Sequence, residues 1–248
     1  MNIFITGATA GFGAAIVDLF IKKGHQVVGT GRRGEILQGQ KKKYGEQFHP
    51  AQLDVRNKED INKVLQGLPN AFAEIDILVN NAGLALGLDR AQVAKIEDWE
   101  IMVETNINGL LYCTHAILPQ MVSRNRGHII NIGSVAGEFP YPAGNVYGAT
   151  KAFVRHLSLN LRADLAGTAV RVTNIEPGLC GETEFSEIRF KGDKEKADAV
   201  YAGVEYLTPQ DIAETVYWVA SRPQHVNINS ISLMPTAQSF GGFSITRD

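Results

Sequence analysis

Cysteine is scarce. The 248-residue chain has only Cys113 and Cys180, outside any C-x-x-C spacing. That excludes a disulfide scaffold and a cysteine-built zinc site, and both thiols are expected free, as in a reducing cytoplasm. Charge of one sign is also lacking. Lys and Arg number 24 against 26 Asp and Glu, a formal net charge of −2, which argues against an electrostatic nucleic-acid binder. No uncharged apolar run approaches the ~20 residues that span a bilayer; the best stretch, Leu110 to Leu118, is short and holds His115. The opening Met1-Asn2-Ile3-Phe4-Ile5-Thr6-Gly7 has no basic region ahead of an apolar one, so it does not read as a signal peptide. A cytoplasmic address without membrane partners is the expectation. The histidines show neither H-E-x-x-H nor paired ligand spacing, so no metal is called for. A G-x-S-x-G hydrolase elbow fails at Ser134, where Ile132 and Ala136 stand in the glycine positions.

Glycine, by contrast, is in excess, with 25 residues. Short apolar runs alternate with longer amphipathic stretches. Strands are expected at Ile3–Ile5, Gln26–Gly29, His49–Leu53, Ile75–Val79, His128–Ile132, Val170–Ile175 and Ile231–Leu233. Helical patterns run from Ala14 to Lys22, Glu35 to Tyr44, Lys58 to Leu68, Glu97 to Ser123, Asn145 to Leu165 and Pro209 to Ala220. Such alternation predicts parallel βαβ units with right-handed crossovers. The fold class is therefore α/β, a single doubly wound domain over residues 1–248 with about seven strands and helices on both faces. The charged, weakly patterned stretch at 179–207 reads as an irregular substrate lid.

The glycines cluster first in Thr6-Gly7-Ala8-Thr9-Ala10-Gly11-Phe12-Gly13, between the first strand and first helix. Gly7 permits a tight turn, Gly11 lets backbone approach a phosphate, and Gly13 allows close helix–sheet packing. Thr9, Ala10 and Phe12 share the turn. Exposed N–H groups and the helix dipole there favour a pyrophosphate. Taken alone, the cluster is equally an ordinary strand–helix turn; its place in a βαβ unit favours the nucleotide reading. After the second strand, a carboxylate that would hold an NAD ribose is missing. The chain instead reads Gly29-Thr30-Gly31-Arg32-Arg33. Two guanidiniums can fork onto a 2′-phosphate, so NADP(H) is the expected cofactor, although most arginines are simply solvated.

Tyr147 and Lys151 are spaced i, i+4 and share a helical face. A tyrosine pKa near 10 makes a poor base, and a nearby ammonium is expected to lower it into a useful range. Such pairs also arise by chance. Ser134, at the end of the fifth strand, could hydrogen-bond a substrate oxygen, and Ser is equally an ordinary loop residue.

The T-G-x-x-x-G-x-G turn, with Asn80-Asn81-Ala82-Gly83, the Ser134 to Tyr147 spacing and Tyr147-Gly148-Ala149-Thr150-Lys151, resembles the short-chain dehydrogenase/reductase family over essentially the whole chain. The resemblance implies a Rossmann-type fold and a catalytic set of Asn106, Ser134, Tyr147 and Lys151. Asn106 would hold a water in a proton relay. Tyr147 and Lys151 would also touch the cofactor. The resemblance further assigns cofactor contacts to Asp54 and Val55 (adenine), to Asn81, Ala82 and Gly83 beneath the ring, to Pro177 and Gly178 beside the nicotinamide, and to Thr183 at the carboxamide or the pyrophosphate. It implies a homotetramer or homodimer. Gly144 to Phe153, Glu176 to Leu179, Thr183 to Phe185 and Arg189 to Asp193 are similar to the bacterial NADP-dependent 3-hydroxy acid dehydrogenases within that family. The expected substrates are then serine, allo-threonine or 3-hydroxypropionate, or malonic semialdehyde in reverse. Besides Ser134 and Tyr147, Arg189 and Lys191 are candidates to meet the substrate, the last two at its carboxylate. The alternatives are a reductase of larger ketones, such as a 3-oxoacyl thioester or a sugar, and a non-catalytic NADP-binding regulator.

Overall fold

Runs of Val, Ile and Leu with no polar alternation bury both faces of a strand, and such runs form the centre of this molecule. In the computed structural model, which describes residues 1–240, the strands are β1 (Asn2–Ile5), β2 (Gln26–Gly31), β3 (Phe48–Gln52), β4 (Ile77–Asn80), β5 (Gly127–Ile132), β6 (Val170–Pro177) and β7 (Ser230–Leu233). All pair in parallel in one 7-stranded sheet of order β3-β2-β1-β4-β5-β6-β7. The order reverses direction between β1 and β4, which opens the crevice where nucleotides bind in such sheets.

The helices are α1 (Gly11–Lys22), α2 (Gly34–Tyr44), α3 (Lys58–Gln66), α4 (Asn70–Ala73), α5 (Ile96–Val103), α6 (Gly109–Ser123), α7 (Asn145–Asp164), α8 (Phe185–Arg189), α9 (Lys194–Ala199) and α10 (Pro209–Ala220). One core lies under α1, α2 and α10, with Ile16, Phe20, Leu37, Ile212 and Val216 against the sheet. The other lies under α3, α4, α6 and α7, with Ile61, Phe72, Ile117, Met121 and Leu165. Both cores share the one sheet, so the described residues form a single doubly wound domain. The expected domain ran to 248; residues 241–248 lie outside the described ones. No described helix is long and apolar enough to cross a membrane.

The long helix expected from Glu97 to Ser123 is interrupted by a π turn at Glu104–Asn108, between α5 and α6. The 179–207 stretch is irregular only in part. It contains α8 and α9, and its ends are pinned together at its base, where Gly181 N donates to Leu207 O at 2.9 Å and Leu207 N to Leu179 O at 3.0 Å. These helices, like α4, are shorter than the span over which an apolar period can be read.

Candidate active site

The glycine-rich turn is built onto the end of β4. Thr6 Oγ1 accepts from the N–H groups of Asn81 and Ala82 at 3.0 and 2.9 Å. The Asn81 amide donates to Thr6 O and Gly7 O at 2.9 and 3.1 Å. The Asn81 side chain is thus a brace rather than the expected ring contact. Gly7 and Gly11 have φ of +68° and +48°, values few side chains adopt. A Cβ on Gly13 would stand 2.1 Å from Gly7 O and 2.7 Å from Asn81 Nδ2, so α1 is pressed close against the residues that follow β1 and β4. Ala10 gives α1 no side-chain cap, which leaves its first-turn N–H groups available to an anion. A Cβ on Gly11 would lie 3.3 Å from the Thr183 methyl, so Thr183 covers the turn. This cradle of glycines and uncapped N–H groups fits a dinucleotide pyrophosphate.

Beside it, Arg32, Arg33, Pro50 and Gln52 line a cavity of about 440 Å³, basic and open enough for a phosphorylated ribose. Arg33 is already engaged: its guanidinium pairs with both oxygens of Glu184 at 2.8 and 3.0 Å. The two expected adenine contacts have partners within the chain. The Asp54 carboxylate is gripped by Arg56 at 2.7 Å, which holds its pKa below the usual carboxylate value. The Val55 side chain is buried against the start of α6, where a Cβ on Gly109 would approach it to 2.6 Å.

On the other side of the crevice stand the catalytic candidates. Asn106 faces inward because of the π turn and is buried. Its Oδ1 accepts from Leu84 N at 2.9 Å. Its Nδ2 donates to Leu84 O at 2.8 Å and to Thr150 Oγ1 at 3.1 Å. It ties the loop after β4 to α7. Tyr147 and Lys151 emerge from α7 on the same face, and both are buried. Lys151 Nζ donates to Ile132 O at 2.8 Å, and burial draws its pKa from 10.5 to about 8. Ala82 and Gly83 complete the loop; a Cβ on Gly83 would lie 3.2 Å from Asn106 Oδ1 and 3.5 Å from Lys151 Nζ. Burial pushes the Tyr147 phenol up to about 12, with Ser134 and Arg189 pulling the other way. The expected lowering by Lys151 is absent, because its ammonium points to the Ile132 carbonyl, 5.9 Å from the ring centroid.

Ser134 Oγ accepts from Ala136 N at 3.1 Å and faces Pro177 O at 3.5 Å. A Cβ on Gly178 would meet Gln238 Oε1 at 2.3 Å, so this glycine makes room for the C-terminal segment. Cys180 is buried, with its thiol pushed up to about 12, an inert group.

The 179–207 stretch packs over Tyr147. Phe185 meets its ring edge-on at 5.7 Å between centroids. The Arg189 guanidinium lies 5.3 Å from the Tyr147 ring centre, 5.6 Å from Phe185 and 5.8 Å from Tyr141, and donates to the Tyr141 hydroxyl. Its buried Nε has no partner. Lys191, expected beside Arg189 at the substrate, turns away and bonds both oxygens of Asp98 at 2.8 and 2.7 Å. Tyr141 and Asp98 were not singled out by the sequence, and Glu184 and Phe185 entered only as part of a resembling segment, with no role. Nothing in their spacing marks them, since each acts through a partner distant in the chain.

Residues 1–194 match the family model for short chain dehydrogenase. Over 247 residues, 100% of both chains, the sequence is 60% identical to the NADP-dependent 3-hydroxy acid dehydrogenase of Salmonella typhi. It is 53% identical to the serine 3-dehydrogenase of Rhizobium radiobacter, covering 100% of this chain and 98% of that one. Among solved structures, the closed form of serine dehydrogenase complexed with NADP+ is 58% identical and superposes with a TM-score of 0.99 over 100% of both chains. Serine dehydrogenase from Escherichia coli is 55% identical, with a TM-score of 0.86 over 97% of this chain and 100% of that one. Likeness at this level, along the whole length and around the same crevice, makes the chain a member of the short-chain dehydrogenase family.

Proposed function

We propose that this chain is an NADP(H)-dependent oxidoreductase that interconverts a short 3-hydroxy acid and its 3-oxo acid or semialdehyde. The observation that carries the reading is Arg189, a half-buried side chain whose enclosed Nε has no partner beside Tyr147. A small acid with its hydroxyl at Tyr147 has its carboxylate within reach of that cation. Serine, allo-threonine and 3-hydroxypropionate fit, and malonic semialdehyde fits in reverse. The relatives named for 3-hydroxy acids and serine support the same class.

When bound, NADP(H) supplies the hydride acceptor or donor. The chain's own groups do the rest. The first-turn N–H groups of α1 meet the pyrophosphate, and the basic corner after β2 meets the 2′-phosphate. Ser134 donates a hydrogen bond to the substrate oxygen. Tyr147 Oη takes the hydroxyl proton in oxidation and returns it in reduction. Lys151 provides positive charge behind the phenol, and Asn106 fixes the loop and helix around it. Phe185 and Arg189 keep water out. A reductase of larger ketones would need the space these two side chains fill. A non-catalytic regulator would have no use for a phenol, a serine and a lysine arranged about one point.

The test compares NADP+ reduction with serine, allo-threonine and 3-hydroxypropionate against ethanolamine and ethanol, which lack the carboxylate. The acids should turn over far better, and Arg189→Ala should remove most of that preference. Equal use of acids and alcohols, or an unchanged preference in Arg189→Ala, sinks the assignment. A homotetramer or homodimer also belongs to this reading, supported by exposed Val103, Val122 and Leu159 on the helices flanking β5; light scattering tests it. Two free, buried thiols suit a cytoplasmic address.

A further inference from the structure

The two adjacent arginines are not equivalent. Arg33 has its donors committed. Nη1 and Nη2 donate to the two oxygens of Glu184 at 2.8 and 3.0 Å. Nε and Nη2 reach Thr9 Oγ1 at 3.3 and 2.9 Å. A guanidinium has five N–H groups in a fixed fork, and this pairing uses its two-pronged edge, the edge a phosphate would otherwise take. Arg32 is exposed and lines the same cavity. Among the described residues it makes no ion pair, while its backbone carbonyl is held by Gln52 Nε2 at 3.0 Å. Its backbone is fixed and its charge is unspent.

Glu184 sits between two residues that matter to the site. Thr183 lies over Gly11, and Phe185 covers Tyr147. Tying Glu184 to Arg33, and through Arg33 to Thr9 of the glycine-rich turn, therefore sets the approach of Thr183 and the seat of Phe185 together. Arg189 follows one turn later on α8.

We propose that the two arginines divide the work: Arg32 reads the 2′-phosphate of the cofactor, while Arg33 anchors the lid through Glu184, a positioning residue for lid closure. The inference rests on the NADP(H) reading above for Arg32 alone. Breaking the Glu184 anchor loosens Phe185 and Arg189, so the damage appears in handling of the hydroxy acid, not in choice of nucleotide. The side chains of Arg33 and Glu184 are 38% and 46% exposed, so water screens the pair and its loss is modest, about two- to fivefold.

The experiment uses the full chain with Arg32→Ala, Arg33→Ala, Glu184→Gln and the double variant Arg33→Ala/Glu184→Gln. Steady-state constants are measured with NADP+ and NAD+, and hydrogen exchange of residues 183–190 is followed without nucleotide. Glu184→Gln should raise the hydroxy-acid KM about two- to fivefold and speed exchange in the lid, with the NADP+/NAD+ preference as in the parent. Arg32→Ala should collapse that preference and leave lid exchange alone. The double variant should be no worse in lid exchange than its worse single. The proposal is overturned if Glu184→Gln tightens NADP+ binding and leaves KM and exchange unchanged, because Glu184 then merely competes with the 2′-phosphate for Arg33. If the NADP+ preference survives both arginine replacements, the cofactor reading has failed. The anchor is still decided by exchange in Arg33→Ala and Glu184→Gln, where an unchanged lid refutes it.

Discussion

Lys151 is an ammonium enclosed by protein and bonded to a carbonyl, Ile132 O at 2.8 Å. Its pKa of about 8 against 10.5 for a free lysine means that the folded state disfavours the charge. At neutral pH the side chain is protonated both folded and unfolded, and the cost of burying the charge is fully present. Between pH 8 and 10.5 the unfolded chain binds the extra proton, so stability rises with pH there and the cost disappears. Lys151→Met should therefore be inactive yet more resistant to urea at pH 7, by about 3 kcal/mol at most, and the gain should vanish near pH 11. A variant less stable than the parent at pH 7 would show that the Ile132 bond outweighs desolvation. Tyr147 has the opposite bias: with its phenol raised to about 12 it keeps its proton at neutral pH. It stands ready as an acid for reduction, and oxidation requires that proton to leave. Oxidation kcat/KM should climb steadily from pH 6 to 9, by up to about tenfold per unit, while reduction stays level or falls. Tyr147→Phe should lower both by about 10²–10⁴-fold with NADPH binding intact. A flat oxidation profile would mean that another group takes the proton.

At the level of elements, α1 and the glycine-rich turn behave as one part. A Cβ on Gly13 would meet Gly7 O at 2.1 Å and Asn81 Nδ2 at 2.7 Å. Both are held by the Thr6–Asn81 bonds, so the helix has to move instead. Gly13→Ala should cost about 1–3 kcal/mol in overpacking and weaken NADPH binding at least about tenfold, since first-turn N–H groups act over hydrogen-bond distance only. Calorimetry and fluorescence titration measure the two effects; unchanged affinity would mean that α1 contributes nothing to the nucleotide. Gly13, Tyr147 and Lys151 were legible in the sequence because helical period and strand ends fix such positions locally. The π turn was not. One extra residue per turn barely disturbs the apolar pattern from Glu97 to Ser123, yet it is what turns Asn106 inward. The sequence also places Asp54 and Lys191 in the right neighbourhood, but not the carboxylate or cation that claims each one. Arg33 and Glu184 are separated by 151 positions, and Lys191 and Asp98 by 93, beyond any local pattern.

For the molecule as a whole, the lid is fastened to both halves of the sheet. Glu184 ties it to Arg33 after β2. Across the crevice, Gly87 N donates to Arg189 O at 2.9 Å, and Lys191 bonds Asp98 on α5. These fastenings bracket Phe185 and Arg189, and so hold the segment between the glycine-rich turn and Tyr147. The Asp98 end is the less forgiving. Its side chain is only 13% exposed, against 48% for Lys191, so removing the lysine strands a carboxylate in protein. Lys191→Met should speed exchange across the lid and raise the hydroxy-acid KM severalfold while leaving NADP+ affinity alone. The sharper expectation concerns the double variant. If stranded charge is the main cost, Asp98→Asn added to Lys191→Met should recover about 1–2 kcal/mol of stability, although it restores no bond. Recovery of stability without recovery of KM would separate the two roles of this contact: the carboxylate is an electrostatic burden on the fold, and the ion pair is what holds the lid down. If the double variant is instead less stable than Lys191→Met, the charge on Asp98 has another partner and the fastening works differently.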